Sequence, residues 1–197
     1  MPVMPKLVDH EEYRKELLAQ AVEAFAQEGF SALSMKDLAT RLGISPGSFY
    51  HYFANKEDLF LQMTAQLAQD LVRYLTEDVE ADWSSEKKLA ETFRRLEVRE
   101  QDFQNFFLLI ADFMRIAGIE KFRASGPYGL LFQQTHAALR DSMGLSERQI
   151  DFLLTYISGV IHNRTLSASA ASLRAHQQML ASLIRSPTFE HLDTIAG

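Results

Sequence analysis

The chain has 197 residues, a formal net charge of −6 and no cysteine. Without cysteine, neither a disulfide framework nor a thiolate metal site can form. No apolar run approaches the ~18 residues that a membrane span needs, and the N-terminal segment lacks the apolar core of a signal peptide. Hydrophobic residues make up 47%, which is typical of a globular protein and excludes a disordered one. We therefore expect a soluble, cytoplasmic protein.

The N-terminal part of the sequence predicts two helices in succession. Apolar residues at helical spacing indicate a first helix from about residue 9 to 27, which Gly29 ends. Ser34 and Asp37 have the spacing of a capping box and start a second helix. Gly43 stops this helix, because a left-handed C-terminal cap is least costly without a β-carbon.

A third helix follows the glycine turn at once. Ser45 is suited to cap it, and Pro46 takes the first helical position, where the missing N–H of proline costs nothing. Phe49, Tyr52 and Phe53 form its inward face, and its outward residues are small or hydrogen-bonding. Two short helices joined by a tight turn are typical of a helix-turn-helix, whose second helix enters the major groove of DNA. The alternative is an ordinary helical hairpin, which usually carries long charged side chains on that outward face.

Residues 14 to 60 resemble the DNA-binding domain of the tetracycline-repressor (TetR) family of bacterial transcription regulators. The resemblance rests on Arg14, Leu17, Ala21 through Phe25, Gly29-Phe30, Ser34, Ala39, Gly43-Ile44-Ser45, Gly47, Phe49-Tyr50, Tyr52-Phe53 and Lys56-Glu57-Asp58-Leu59. It implies an all-α protein with a three-helix helix-turn-helix domain over residues 1–58. A larger helical domain over residues 59–197 would then bind a ligand and form the dimer.

The rest of the chain also reads as helical. A fourth helix, from residue 56 to about 77, is long enough to link two bodies. Further helical patterns follow, separated by glycine, serine and proline breaks, and no alternating strand pattern is present. They cover about residues 86–100, 103–117, 127–143, 146–167 and 172–185. The sequence thus predicts about nine helices.

The resemblance implies which residues contact DNA: Ser34, Lys36, Ser45, Gly47, Ser48, Tyr50, His51, Tyr52 and Lys56. By their chemistry, Tyr50 and His51 can reach base edges, whereas Ser45, Ser48, Tyr52 and Lys56 suit phosphate. The local charge is modest, since residues 33–56 carry a net +2 while residues 1–60 carry a net −3. Affinity should therefore come from a few phosphate contacts and from amide donors at helix starts, doubled by dimerisation.

The last two long helices carry broad apolar stripes. Such a pair can pack against its symmetry mate as an isologous four-helix bundle, which is the arrangement that the resemblance implies. The alternative is that both stripes belong to the core of a single chain. The candidate interface residues are Ile150, Leu153, Leu154, Ile157, Ile161, Leu173, Leu180, Leu183 and Ile184.

Aromatic residues are concentrated between residues 103 and 156. Cavities between bundle helices, lined by such rings and a few polar groups, are common sites for small molecules. For any single aromatic residue, a place in the ordinary core is the more frequent outcome. The candidate pocket walls are Phe106, Phe107, Phe113, Phe132 and Tyr156, with Arg115 or His136 at a polar end.

Catalytic and metal-binding patterns are absent from the sequence. It has no glycine-rich phosphate loop and no H-E-x-x-H motif, and its six histidines never pair at metal-ligand spacing. We therefore expect no enzymatic activity, no metal and no cofactor. The expected function is a homodimeric repressor that a small apolar or aromatic effector releases from a palindromic operator in double-stranded DNA. The alternatives are an activator or ligand-independent regulator of the same fold, and a helical interaction module that has lost DNA binding.

Overall fold

The computed structural model describes residues 9–167, 171–184 and 186. Within these residues the chain forms helices and no strand, which confirms the all-α class. The helices are α1 (His10–Ala32), α2 (Met35–Arg41), α3 (Pro46–Tyr52), α4 (Lys56–Thr76), α5 (Ser85–Val98), α6 (Glu100–Ala117), α7 (Ile119–Arg123), α8 (Gly126–Met143), α9 (Glu147–Leu166) and α10 (Leu173–Ile184). The one helix beyond the nine expected is the short α7, which follows Gly118.

The start and end signals of α2 and α3 behave as the sequence predicts. Asp37 donates its backbone N–H to the Ser34 hydroxyl over 3.1 Å, and Ser34 donates its own N–H to the Asp37 carboxylate over 3.0 Å, which completes a capping box. Gly43 has a φ of 67°, a conformation that favours glycine. Ser45 caps α3 by accepting the backbone N–H of Ser48 over 3.1 Å.

The described chain packs as two compact units. The N-terminal unit combines the residues up to Ala68 with Leu109–Tyr128, and the C-terminal unit combines Gln69–Leu108 with the residues from Gly129 onward. Helices α4 and α6 therefore each contribute to both units. The boundary expected between residues 58 and 59 separates a DNA-binding domain from a ligand-binding domain. The packing units are divided elsewhere, and the functional boundary stays a prediction.

The core of the N-terminal unit is built around phenylalanine rings from α1, α4 and α6. Phe30 lies edge-on to Phe60 and to Phe113, with ring centroids 5.1 and 5.2 Å apart. Phe60 and Phe113 stack in nearly parallel planes 4.8 Å apart. Both of these rings are fully buried, so α6 supplies part of the core on which the helix-turn-helix rests.

In the C-terminal unit, α5 packs against α10. Two arginine side chains there also bind groups at helix ends. Arg95, on α5, donates to the backbone oxygen of Tyr74 over 2.8 Å and also to that of Glu77, so it satisfies carbonyls at the end of α4. Arg164, on α9, makes a bidentate ion pair with Glu100 at 2.6 and 3.0 Å. Among the described residues, no helix combines the length and the apolar character that crossing a membrane requires.

The apolar stripes of α9 and α10 lie mostly inside the single chain. Six of the nine candidate interface residues are buried there and so belong to the protomer's own core: Ile150, Leu153, Ile157, Ile161, Leu173 and Leu180. Leu154 is half-buried, Leu183 is 38% exposed, and the side chain of Ile184 lies outside the described residues. Within the protomer, Leu183 is therefore the predicted interface residue most open to a second copy, and the interface itself stays a prediction.

Replacing Phe113 tests the aromatic core. Phe113→Ala removes a fully buried ring and leaves a cavity against Phe30 and Phe60, so we expect a loss of about 3–5 kcal/mol in the free energy of unfolding. Urea unfolding followed by circular dichroism measures it. The control is Phe132→Ala, the same truncation at a ring that is 48% exposed, which should cost far less. Equal losses in the two variants would contradict the proposed core.

Candidate nucleic-acid interface

The outward face of α3 is exposed and carries few charges. Tyr50 is 54% exposed, so its ring is not part of the core. Ser45, Gly47, Ser48 and His51 are exposed on the same short helix. The buried face of α3 is formed by Phe49, with Phe53 just after it, as the sequence predicts. One face of α3 therefore packs into the core, and the opposite face is accessible to a partner.

Gly47 leaves open space on that outward face. A β-carbon built there would meet nothing within 4 Å, so no neighbouring group of the protein demands a glycine at this position. The missing side chain would allow close approach of an extended surface such as a DNA backbone. The two serines nearby are satisfied locally, because Ser45 donates its hydroxyl to that of Ser48 over 2.9 Å.

Tyr52 links α3 to the beginning of α1. Its hydroxyl lies 2.9 Å from Nδ1 of His10, and its ring lies edge-on to that of Tyr13 with centroids 5.7 Å apart. The side chain is half-buried. Tyr52 thus fixes the orientation of α3 in addition to the DNA contact predicted for it.

The three cations of this region have different environments. The Lys36 side chain is exposed and has no hydrogen-bond or ion-pair partner among the described residues. Arg41 is bound to the side chains of Glu28 and Gln27. Lys56 donates to the backbone oxygens of Phe30 and Leu33, each over 2.9 Å, and lies 4.5 Å from the Phe30 ring centroid. Of the three, Lys36 is the cation most available to a phosphate.

The candidate ligand residues divide between the two units. Phe113 is fully buried in the N-terminal core, and that packing alone accounts for its burial. Arg115 belongs to the same unit, with its side chain 70% exposed and paired with Asp112. The other five candidates belong to the C-terminal unit. A common pocket for all seven stays a prediction.

Within the C-terminal unit, the polar candidates are already bound to protein groups. The His136 side chain is buried, and its Nδ1 lies 2.7 Å from Glu147; its Nε2 lies 3.3 Å from Asp151 but makes no hydrogen bond. The hydrogen bond from His136 and the nearby charge of Arg140 lower the pKa of Glu147. Tyr156 donates its hydroxyl to the backbone oxygen of His176 over 3.2 Å. Phe106 and Phe107 are half-buried, with ring centroids 5.6 Å apart.

A cleft of about 460 Å³ is present in the C-terminal unit, but none of the predicted pocket residues lines it. Its walls are mainly charged and amide side chains, whereas the sequence predicts aromatic walls. They are Glu97, Val98, Glu100, Gln101, Gln104, Arg164 and Ser167. Neither composition nor residue spacing indicates a cleft at these positions.

The structure defines a helix-turn-helix protein. Helix α2 is capped, a glycine turn follows it, and the outer face of α3 is exposed. Residues 17–63 match the family described as "Bacterial regulatory proteins, tetR family". This match assigns the segment to the TetR family, as the resemblance of residues 14 to 60 implies.

Individual relatives agree with this assignment. The HTH-type transcriptional repressor KstR2 of Mycobacterium tuberculosis is 46% identical over 46 residues, which are 23% of this chain and 23% of that protein. The matches to this protein and to the fatty acid metabolism regulator protein of Bacillus subtilis, of which the chain covers 39%, reach less than half of either relative. They therefore support the family and leave the activity of the whole protein to be proposed.

Solved structures share the fold over most of the chain. One is the transcriptional regulator SCO7518 from Streptomyces coelicolor A3(2), with a TM-score of 0.69 and 18% identity over 88% of this chain and 99% of that one. Another is the transcriptional regulator FadR from Bacillus subtilis in complex with stearoyl-CoA, with a TM-score of 0.63 and 18% identity over 88% and 98% of the chains. At these identities the likeness establishes the fold.

The capping box of α2 provides a pH-dependent test of the site's scaffold. Hydrogen bonds from Ser34 lower the pKa of Asp37. A depressed folded-state pKa stabilises the protein above the unfolded value of about 4, and that contribution disappears as pH falls through the folded pKa. Asp37→Asn should therefore lower the thermal midpoint at pH 6, and the difference from wild type should shrink below about pH 4.

The control for this comparison is Glu16→Gln, which removes an exposed carboxylate without a partner among the described residues. Its thermal midpoint should follow that of the wild type from about pH 3 to pH 6. A difference between Asp37→Asn and wild type that did not depend on pH would show that the capping charge contributes nothing.

Proposed function

We propose that the protein is a homodimeric DNA-binding transcriptional repressor that recognises a palindromic operator. The observation that carries the proposal is the outer face of α3, where Tyr50 is exposed and Gly47 leaves space that the fold does not use. Such a face suits close contact with the major groove. The match of residues 17–63 to the TetR family supports DNA binding, and repression is supported by a relative that is itself named a repressor.

Dimerisation follows from how such a helix reads DNA. Two copies of α3 must meet successive major grooves, which are roughly 34 Å apart, so the operator should contain two inverted half-sites about one turn apart. The surface for a second copy would be formed by the exposed apolar residues of α9 and α10, including Leu166, Met179 and Leu183.

We also propose a small apolar or aromatic effector that weakens operator binding. The proposal is supported by the stearoyl-CoA bound to the structurally similar FadR and by the concentration of aromatic residues in α6, α8 and α9. A ligand that prefers a protein conformation unsuited to DNA lowers operator affinity, and by linkage DNA lowers ligand affinity by the same factor.

Selection from genomic fragments tests DNA recognition directly. We expect the purified wild-type protein, at low salt, to enrich fragments that share an inverted repeat. The same selection with Tyr50→Ala should enrich a less restricted set, because this variant lacks an exposed side chain that can reach base edges. Recovery of random sequence by the wild type would rule out operator recognition.

Replacing Lys36 separates phosphate binding from sequence reading. Lys36→Ala should weaken binding to operator and to random DNA alike, and removal of one lysine–phosphate interaction should flatten the slope of log affinity against log salt by about one unit. Fluorescence anisotropy at several salt concentrations measures both quantities. The control is Arg73→Ala, which removes a cation whose side chain is 70% exposed outside the proposed interface. Identical slopes for the two variants would exclude a phosphate contact by Lys36.

The dimer interface is tested at an exposed position of α10. Leu183→Asp places a charge at a side chain that the single chain leaves 38% exposed, so the protomer should still fold. In the proposed interface the charge would be desolvated, and sedimentation should show a shift to monomer. Val98→Asp, at a 63% exposed residue of α5, is the control and should stay dimeric. If both variants remain dimers, Leu183 lies outside the interface.

A further inference from the structure

The corner between α1 and α2 is formed by a break in the helix at Gly29. Gly29 has φ 79° and ψ 166°, so the helical hydrogen-bond ladder is interrupted there. The backbone N–H of the next residue, Phe30, needs another acceptor, because a buried donor without a partner is costly. The acceptor is Asp112 on α6, whose Oδ2 lies 2.9 Å from the Phe30 nitrogen. The two residues are 82 positions apart in the sequence.

The backbone oxygen of Phe30 is also held by a charged side chain. Lys56, at the start of α4, donates to it over 2.9 Å and donates to the oxygen of Leu33 over the same distance. Both polar backbone atoms of Phe30 are therefore bound to ionic groups, the N–H to a carboxylate and the oxygen to an ammonium. Hydrogen bonds to ionised groups are roughly twice as strong as neutral ones.

The side chain of Phe30 is also held in place by packing. It is 4% exposed and packs against Phe60 and Phe113. Only three residues separate Phe30 from Ser34, the cap of α2. Fixing Phe30 therefore fixes the point from which the helix-turn-helix begins.

Asp112 is arranged to remain ionised in this position. Burial opposes ionisation of its carboxyl, but hydrogen bonds from Arg115 and from the Phe30 N–H outweigh that effect and lower the pKa of Asp112. Its Oδ1 accepts from Arg115 over 2.8 Å, which leaves Oδ2 for Phe30. The Asp112 side chain is only 28% exposed.

We infer that Asp112 is a positioning residue for operator binding: together with Lys56 it clamps the backbone of Phe30 and so sets the orientation of the helix-turn-helix. The inference rests on the proposed DNA-binding function. It also assigns Lys56 a role in aligning the interface. Because α6 begins at Glu100 in the C-terminal unit, the clamp attaches the DNA-reading element to a helix that both units share.

Three variants separate positioning from general stabilisation. Asp112→Ala removes the acceptor, whereas Asp112→Asn loses the charge but keeps an oxygen that can accept the Phe30 N–H. Arg115→Ala is the matched control, since it removes the other partner of Asp112 and leaves the contact with Phe30. Each is compared with wild type at a temperature where circular dichroism shows it fully folded.

Two measurements are made on each variant, the hydrogen-exchange rate of the Phe30 amide and the operator dissociation constant. In Asp112→Ala we expect faster exchange and about tenfold weaker operator binding, the size of one charge-assisted hydrogen bond. Asp112→Asn should recover part of the affinity, because a neutral acceptor makes a weaker hydrogen bond, and Arg115→Ala should behave as wild type. This pattern would support the inference even if Asp112→Ala also melts earlier.

Each failure has a distinct cause. If the wild type binds an operator and Asp112→Ala exchanges faster but binds equally well, the hydrogen bond stabilises the fold without positioning the interface, and the inference is overturned. If Asp112→Ala does not fold, Asp112→Leu, which has a similar size and no acceptor, takes its place: faster exchange with about tenfold weaker binding supports the clamp, and faster exchange with wild-type affinity overturns it. If the wild type binds no sequence selectively, the proposed function fails first and the inference with it.

Discussion

The N-terminal unit depends on the packing of Phe30 against Phe60 and Phe113. These rings come from α1, α4 and α6, and dispersion and burial hold them together from three directions. The short helices α2 and α3 have seven residues each and could not stay folded alone in water. They are held because the chain that leads into them leaves from a residue, Phe30, that this cluster immobilises.

Long-range electrostatic attraction can contribute little to DNA binding at the proposed interface. The chain has a net charge of −6, and two of the three cations near the helix-turn-helix, Arg41 and Lys56, are bound to protein groups. A protein of this kind cannot depend on a broad basic field to gather DNA. In the proposed function, recognition comes mainly from the shape of α3 and from short hydrogen-bonding side chains, so correct alignment of that helix is the main requirement.

The caps and turns of the site could be predicted from the sequence, whereas the contacts with residues far away in the sequence could not. The capping box of Ser34 and Asp37, the N-cap at Ser45 and the turn at Gly43 each follow from neighbouring residues, and all three are present. Asp112 carries no such signal, because its partner Phe30 lies far away in the sequence. Periodicity likewise marked the apolar stripes of α9 and α10, but it cannot tell whether a stripe is covered by the same chain or by another copy, and residues such as Leu153 proved to be core.

The segment that matches the family is also shorter than the unit that packs around one core. The match to the family ends at residue 63, yet the core of the N-terminal unit includes Leu109, Phe113 and Phe122. The proposed DNA-reading face lies within the matched segment. The residues that support this face from α6, the Phe113 ring and the Asp112 carboxylate, lie outside that segment. A boundary drawn where the pattern ends would therefore cut through a single hydrophobic core and remove the carboxylate that satisfies the broken end of α1.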